Sequence, residues 1–409
     1  MTEVGPAWPV PADFSPAPSA DQLARWQAAD RDARPVRLAR LRARMASEGV
    51  DGYFGVRREH MRYLTGFTLA EGEERSAKDS GQFFVTADAV VMLADSRYTI
   101  QARREATEAR IVDVYGNLPA RWPELVAELG LRRIAVEAGF VPHAQFLRLA
   151  AAAPDVELVP IEGWLEADRA VKEPSELERV AAACAVADRA LATLLPEIEP
   201  GRTEADLALS LEWLMRTHGA EALAFDVTCL AGPEAALPHG SPGDRPVRAG
   251  EVLLFDFGAQ VAGYRSDMTR TLFVGEPSTR DRDVYELVAR AQATAIERLE
   301  AAVAAGGPLP SGRAIDAAAR EVIGVAGHGE HFGHGTGHGI GLATHELPTL
   351  GKTAAEAALP SPTVFSVEPG VYLAGEMGVR IEDLILFDAA ARRVERLTRF
   401  PRDIVIVGV

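Results

Sequence analysis

The sequence predicts an α+β protein of two domains, and three features carry that expectation. Its 409 residues exceed what one hydrophobic core commonly serves, at ~150 residues per domain, so two or three cores are expected. From Asp51 to about Leu158 short β-like runs alternate with helical ones, whereas beyond Lys172 long helices come in pairs between β-rich segments. Between the two patterns lies KEPSE (172–176), a proline and a capping serine ahead of a long Ala/Leu/Val-periodic helix, which marks a boundary. The ranges that follow are an arm and helix over 1–35, an α/β layer domain over 36–172, and a domain over 173–409 whose strand pairs alternate with helix pairs, unlike a doubly wound parallel sheet.

In chain order, Pro6, Pro9, Pro11, Pro16 and Pro18 disfavour helix and sheet, so residues 1 to about 19 read as an extended arm. Ser19 or Asp21 can cap the next segment, where Leu23, Trp26, Leu38, Leu41 and Met45 recur at helical intervals until Gly49 ends the run. The arginines from Arg31 to Arg44 alternate with Asp and Ala at the same spacing and read as a solvated helix face. YFGV, QFFVTA, VVML, RIVDVY and RIAVEA are strand-like, with helices expected over 117–129 and 143–152. In the second domain helices are expected at 176–196, 203–218, 283–305 and 312–324, and β-rich segments at 252–260, 263–274, 363–373 and 379–387.

Composition narrows the function. A formal net charge of −16 opposes any large phosphate-neutralising surface, so no nucleic-acid partner is expected. Cys184 and Cys229 are too few for a disulfide framework and fit a reducing compartment. With no run of ~18 apolar residues and no basic-then-apolar start, a cytoplasmic protein without a membrane partner is expected.

The β-rich segments carry the chemistry. In EVLLFDFGAQVAGYRSDMTRTLFV (251–274) two runs flank a break near Val261, Ala262 and Gly263, and the simplest hairpin, with its loop at 261–262, sets Asp256 opposite Asp267. Asp256 sits among Leu253, Leu254, Phe255 and Phe257, in a strand expected to be buried. Two like charges ~5 Å apart there repel by roughly 3 kcal/mol at an effective dielectric near ~20, before any desolvation. A shared proton, two basic partners or bound cations must compensate. TVFSVEPGVYLAGEMGVRIEDLILF (363–387) repeats the device, since Glu368 and Glu382 are symmetric about Gly375 and face each other across a three- or five-residue loop.

The segment HGEHFGHGTGHGIGLATHE adds His334, His338 and His345, interleaved with Gly333, Gly335, Gly337, Gly339 and Gly341. So many glycines oppose a helix and favour loop and strand, where bare backbone approaches closely. Histidines beside a carboxylate cluster point to ligands and acid–base groups. Oxygen-rich ligation with one imidazole suits Mn²⁺, Co²⁺, Fe²⁺ or Zn²⁺, and four carboxylates exceed what one catalytic zinc uses, so two carboxylate-bridged metals are expected.

These residues resemble the prolidase, aminopeptidase P and methionine aminopeptidase family. Asp256, Asp267, His338, Glu368 and Glu382 fall on its five metal-ligand positions, in order and context. MRYLTGF and DSRYTIQARREA resemble segments of its proline-directed branch. The resemblance implies a pita-bread catalytic domain behind a creatinase/prolidase-type domain, two divalent ions per subunit (Mn²⁺, with Co²⁺ or Zn²⁺ as alternatives), and a homodimer. It implies that Asp256 and Glu368 each hold one side of the centre, that Asp267 and Glu382 bridge it, and that His338 completes one metal. Arg380 would orient the carboxylates, and His239 (in LPHG), His334 and His345 would bind the substrate ends and the oxyanion. Glu368 would carry a proton to the leaving proline nitrogen. The implied reaction is hydrolysis of the Xaa-Pro bond of dipeptides, with an aminopeptidase P acting on longer peptides as the alternative. A creatinase-like amidinohydrolase and a non-enzymatic binding module are more distant readings. Dipeptide-specific members carry an arginine just after the HE-x-P segment or a little further on; in this chain HELP is followed by Thr349, and the next basic residue is Lys352. Lys352, Arg57, Arg58 or an arginine from a partner subunit's arm are the cations that could replace it.

Overall fold

The structure, a computed structural model, describes residues 17–70, 72–114 and 117–408. The arm expected over 1–19 therefore lies, apart from residues 17–19, outside the described residues. The chain divides between Asp168 and Arg169 into two compact units, and residues 17–19 belong with the second.

In the first unit the helix Ala20–Glu48 buries Trp26, Leu38, Leu41 and Met45. It runs without a break through the division expected at 35/36, with Pro35 inside it. The arginine run on it is not uniformly solvated: Arg34 and Arg37 are buried. Arg37 lies 4.1 Å over the Tyr63 ring and donates to Tyr63 O at 3.0 Å, so stacking and a carbonyl replace its water.

Among the described residues the first unit carries one six-stranded sheet: β1 (Gly52–Gly55), β2 (Phe83–Thr86), β3 (Val90–Ala94), β4 (Arg110–Asp113), β5 (Arg133–Glu137) and β6 (Glu157–Ile161), in the order β4-β3-β2-β1-β5-β6. β1 pairs antiparallel with β2 and parallel with β5. Every residue of β1, β2 and β3 is buried, which is why these strands read as continuous apolar runs. The Phe54 ring packs at 4.9 Å from Phe84 and 5.0 Å from Trp122 of the helix Leu118–Glu128.

In the second unit the helices are Pro174–Leu194, Glu204–Thr217, Thr279–Ala305 and Gly312–Val325, close to the expected ranges. The first is capped by Glu173, not by the serine of KEPSE: Pro174 takes the first helical position and the Glu176 carboxylate accepts from Glu173 N at 2.7 Å. Proline's fixed φ suits that position, which moves the cap one residue ahead of it. Thr203, Ser278 and Ser311 cap the other three through side-chain oxygens.

The strands of this unit are β7 (Ala222–Leu223), β8 (Thr228–Ala231), β9 (Val252–Phe257), β10 (Ala259–Val261), β11 (Tyr264–Arg265), β12 (Met268–Val274), β13 (Gly337–Gly339), β14 (Glu346–Leu350), β15 (Thr363–Val367), β16 (Gly370–Leu373), β17 (Met377–Arg380), β18 (Asp383–Asp388), β19 (Arg393–Arg396) and β20 (Ile406–Val407). Two sheets, β20-β12-β9-β8 and β14-β13-β15-β18-β19, flank the two-stranded β16-β17 ribbon, and β11-β10-β7 forms a small fourth sheet. The helix Thr279–Ala305 closes the core, with Val288, Ala291, Ala295 and Leu299 packed in one cluster with Leu254, Phe273, Phe365 and Ile385. Cys184 and Cys229 are buried free thiols. Among the described residues no helix is long and apolar enough to cross a membrane.

The two hairpins behave differently from one another. In the first the turn is Ala262–Gly263, with φ of 48° and 86°, because a tight hairpin needs left-handed residues at both central positions. The loop expected at 261–262 would have forced β-branched Val261 into that region. Gln260 therefore pairs with Arg265, and Asp256 faces Thr269 instead of Asp267. The slip is two residues, so every side chain keeps its face and Asp267 becomes a diagonal neighbour of Asp256. In the second hairpin Gly370 pairs with Arg380 and Leu373 with Met377, the expected symmetry about Gly375. The pair Val367↔Asp383 continues the same register beyond a break at Glu368 and Glu382.

Candidate metal centre

Five chain segments deliver the acids and the imidazole. Asp256 comes from β9, Asp267 directly precedes β12, His338 is the middle of β13, and Glu368 and Glu382 occupy the break in the second ribbon. β13 fits between β15 and β14 because it is glycine on both sides of His338: a Cβ on Gly337 would lie 1.9 Å from Ser366 O and one on Gly339 would lie 2.0 Å from Leu347 O. These five residues, with His239, His334, His345 and Arg380, line one cleft of about 740 Å³.

Arg380 is the hub beneath the cluster. Its Nη2 donates to Asp256 Oδ2 at 2.6 Å, its Nε to Thr269 Oγ1 at 2.9 Å, and its Nη1 to Tyr372 OH at 2.7 Å and to Pro238 O at 3.3 Å. Thr269 in turn donates to Glu382 Oε2 at 2.7 Å. Tyr372 OH lies 2.8 Å from His334 Nε2, so one network joins Asp256, Arg380, Tyr372 and His334. The His345 ring packs tilted against His338 with centroids 4.1 Å apart, and His239 is exposed at the rim.

The cluster carries too much negative charge for its burial. Burial, followed by Glu382, Asp256 and Glu368, pushes the Asp267 carboxyl far above its ordinary range. Burial with Glu368 and Asp256 does the same to Glu382. Burial raises Glu368 too, against the pull of His334 and Arg380. His334, His338 and His345 are each pushed down, first by burial, so neutral imidazole is favoured at all three.

Two observations test whether these residues suit metal ions. Asp256 Oδ1 is buried without a hydrogen-bond partner. His338 Nδ1 lies 3.1 Å from Gly339 O and so carries the proton, leaving the Nε2 lone pair 3.4 Å from Glu368 Oε1 and 3.6 Å from Asp267 Oδ2. A lone pair facing two carboxylates is repulsive unless a cation or a proton lies between them. Asp267, His338 and Glu382 each offer one ligand atom, all within 4.8 Å of one another. Carboxylates with one imidazole and no thiolate fit a hard or borderline divalent ion.

The catalytic and metal-ligand residues expected from the sequence thus line the same cleft. Sequence reasoning missed Thr269, Ser366 and Tyr372. Ser366 Oγ accepts from His338 N at 3.0 Å and donates to Glu368 Oε1 at 3.1 Å. The available signal was a hydroxyl within an apolar strand, as in TVFSV and GVYL, where each buried O–H must find a partner.

Comparison with known proteins places this architecture. Residues 178–389 match the model of metallopeptidase family M24, and residues 37–171 match the creatinase/prolidase N-terminal domain. An uncharacterised peptidase of Bacillus subtilis is 32% identical over 91% of this chain and 100% of its own length. The Xaa-Pro dipeptidase of Pyrococcus horikoshii is 33% identical over 68% of this chain and 76% of its own. Among solved structures, an Xaa-Pro dipeptidase from Bacillus anthracis superposes with a TM-score of 0.81 at 32% identity, covering 91% of this chain and 99% of that one. An X-Pro aminopeptidase from Thermotoga maritima gives 0.76 at 33% identity, covering 88% and 98%. With a creatinase/prolidase-type unit followed along the chain by a catalytic unit of pita-bread type, the chain is a peptidase that belongs to metallopeptidase family M24.

Proposed function

We propose that the protein hydrolyses the bond between an amino acid and a following proline, chiefly in dipeptides, with two divalent ions held by Asp256, Asp267, His338, Glu368 and Glu382. One observation carries this reading: the His338 Nε2 lone pair, 3.4 Å from Glu368 Oε1 and 3.6 Å from Asp267 Oδ2, faces acids whose charged forms need cations between them. Asp256, Asp267, His338, Glu368 and Glu382 would hold the ions, and Arg380 fixes Asp256. When bound, such a pair supplies Lewis acidity to a carbonyl and a water-derived nucleophile near neutral pH. Glu368 would hold a proton at its carboxylate and move it between the attacking water and the departing proline nitrogen. His345 donates to the oxyanion, while His239 and His334 hold the substrate ends. We assign Mn²⁺ on the oxygen-rich donor set, and a cytoplasmic homodimer on the family resemblance.

Removal of the first residue from longer Xaa-Pro peptides is the second reading, and the likeness to the Thermotoga maritima X-Pro aminopeptidase favours it. Apoprotein reconstituted in turn with Mn²⁺, Co²⁺ and Zn²⁺ and assayed on an Xaa-Pro dipeptide and the matching tripeptide decides between them. Faster turnover of the dipeptide supports the first reading and faster turnover of the tripeptide the second. Activity without added metal would sink both.

A further inference from the structure

The charges that line the cleft are unevenly matched. Its acids are Asp226 and the four of the cluster, and its lysine and arginine side chains are Arg320, Lys352 and Arg380. Arg380 is fully engaged by Asp256, Thr269, Tyr372 and Pro238 O. Arg320 grips both oxygens of Asp316 at 2.7 and 3.0 Å, donates to Phe332 O at 2.8 Å and His334 O at 2.7 Å, and lies 4.1 Å over the Phe332 ring. Lys352 makes no hydrogen bond or ion pair among the described residues.

The backbone that carries Lys352 is held in place. Thr349 pairs with His338 and Leu350 with Gly337. A Cβ on Gly335 would lie 2.8 Å from Leu350 O, so the chain entering the Lys352 turn runs directly against the His334–Gly335 backbone. The turn closes with Ala354 N donating to Gly351 O at 3.0 Å, and Arg313 Nε ties Ala354 O at 3.1 Å. Lys352 is therefore an exposed ammonium on a fixed turn at the cleft wall, beside the strand that bears His338.

A peptide with a free C-terminus brings a carboxylate into a cleft lined by acids. The ions the cluster would hold are answered by its four acids, so the carboxylate still needs a partner at the cleft wall, and Lys352 is the lining side chain whose positive charge is not already answered. We propose that Lys352 receives the substrate α-carboxylate and so sets a preference for peptides whose C-terminus is a free carboxylate; this rests on the function proposed above. Each added residue moves the carboxylate by ~3.3–3.6 Å. A single flexible ammonium follows that movement in part, where a rigid guanidinium fork would not. Charge at the C-terminus, more than length, is what the cleft reads.

The test compares an Xaa-Pro dipeptide with its C-terminal amide, using metal-loaded protein and the variants Lys352→Ala, Lys352→Arg and Lys352→Glu. The unaltered protein should favour the acid by roughly tenfold or more in kcat/KM, the range of a charge-assisted contact, and added salt should shrink that preference. Lys352→Ala should bring the ratio near one, through KM, Lys352→Arg should keep it, and Lys352→Glu should invert it. A ratio unchanged in Lys352→Ala and Lys352→Glu overturns the proposal. Failure of the function itself would look different, with neither form hydrolysed by the unaltered protein. Calorimetric titration of acid and amide then decides Lys352 separately: acid-selective binding lost in Lys352→Ala supports it, and equal affinity of the two forms overturns it.

Discussion

Asp256 divides its two oxygens: Oδ2 accepts from Arg380 Nη2 at 2.6 Å, while Oδ1 is buried with no hydrogen-bond partner. Arg380 thus aims one oxygen of Asp256 by gripping the other. Arg380→Lys keeps the charge and loses the planar fork. It should lower kcat/KM by about 10–100-fold, as loss of a partner behind a metal ligand does, and reduce the metal that survives dialysis. Full activity with full metal content in that variant would show that Asp256 is aimed without Arg380.

Tyr372 OH accepts from Arg380 Nη1 at 2.7 Å and lies 2.8 Å from His334 Nε2. Burial, opposed by Arg380, holds the phenol at about 12, so it stays protonated at any working pH and can donate to the His334 lone pair. Tyr372→Phe should cost about tenfold in kcat/KM and roughly 1–3 kcal/mol of stability, the scale of two hydrogen bonds. Kinetics and chemical denaturation on the same preparation separate the two effects.

Metal removal should invert the pH dependence of stability. Asp267, Glu368 and Glu382 have folded-state pKa values above their ordinary ones. The stability each contributes to metal-free protein is therefore fully present below the unfolded pKa and lost as pH rises through the folded value. Chelated protein should become more stable on mild acidification from neutral pH, while metal-loaded protein loses stability because protons compete for the ligands. Melting midpoints with and without chelator should converge as pH falls, and parallel curves would contradict the buried-acid account.

Glu346 has the opposite sign. Burial works against its charge, but Arg169 and Lys172, the latter at 3.0 Å, hold its carboxyl down at about 2. Its contribution is present above the ordinary carboxylate pKa and is lost as pH falls towards about 2. Glu346→Gln leaves two cations buried without their counter-charge and should cost about 3–5 kcal/mol at neutral pH, read as a shift in the urea midpoint.

The parts legible in the sequence were those set by local pattern. Gly375 lies midway between Glu368 and Glu382, so their register could be counted off, and the helices announced themselves through apolar period and capping residues such as Thr203 and Ser278. The first hairpin differs from its expected register by two residues because backbone handedness at Ala262 and Gly263, more than loop length, sets the turn. The burial of Arg34 and Arg37 could not be read, since the Tyr63 ring and carbonyl that receive Arg37 come from a distant helix. Thr269 and Tyr372 stayed hidden for a related reason: their partners Glu382, Arg380 and His334 meet them only across strands.

The Ala262–Gly263 turn has an implication for how this hairpin can change over evolutionary time. Moving the bend without changing the chain length shifts the register in steps of two and leaves Asp267 on its face, whereas an odd insertion or deletion within the strands between Phe257 and Met268 would rotate it away from its companions. Length variants at this loop should therefore survive selection in steps of two. A library of one-, two- and three-residue insertions after Ala262 would display that odd–even alternation directly in retained activity.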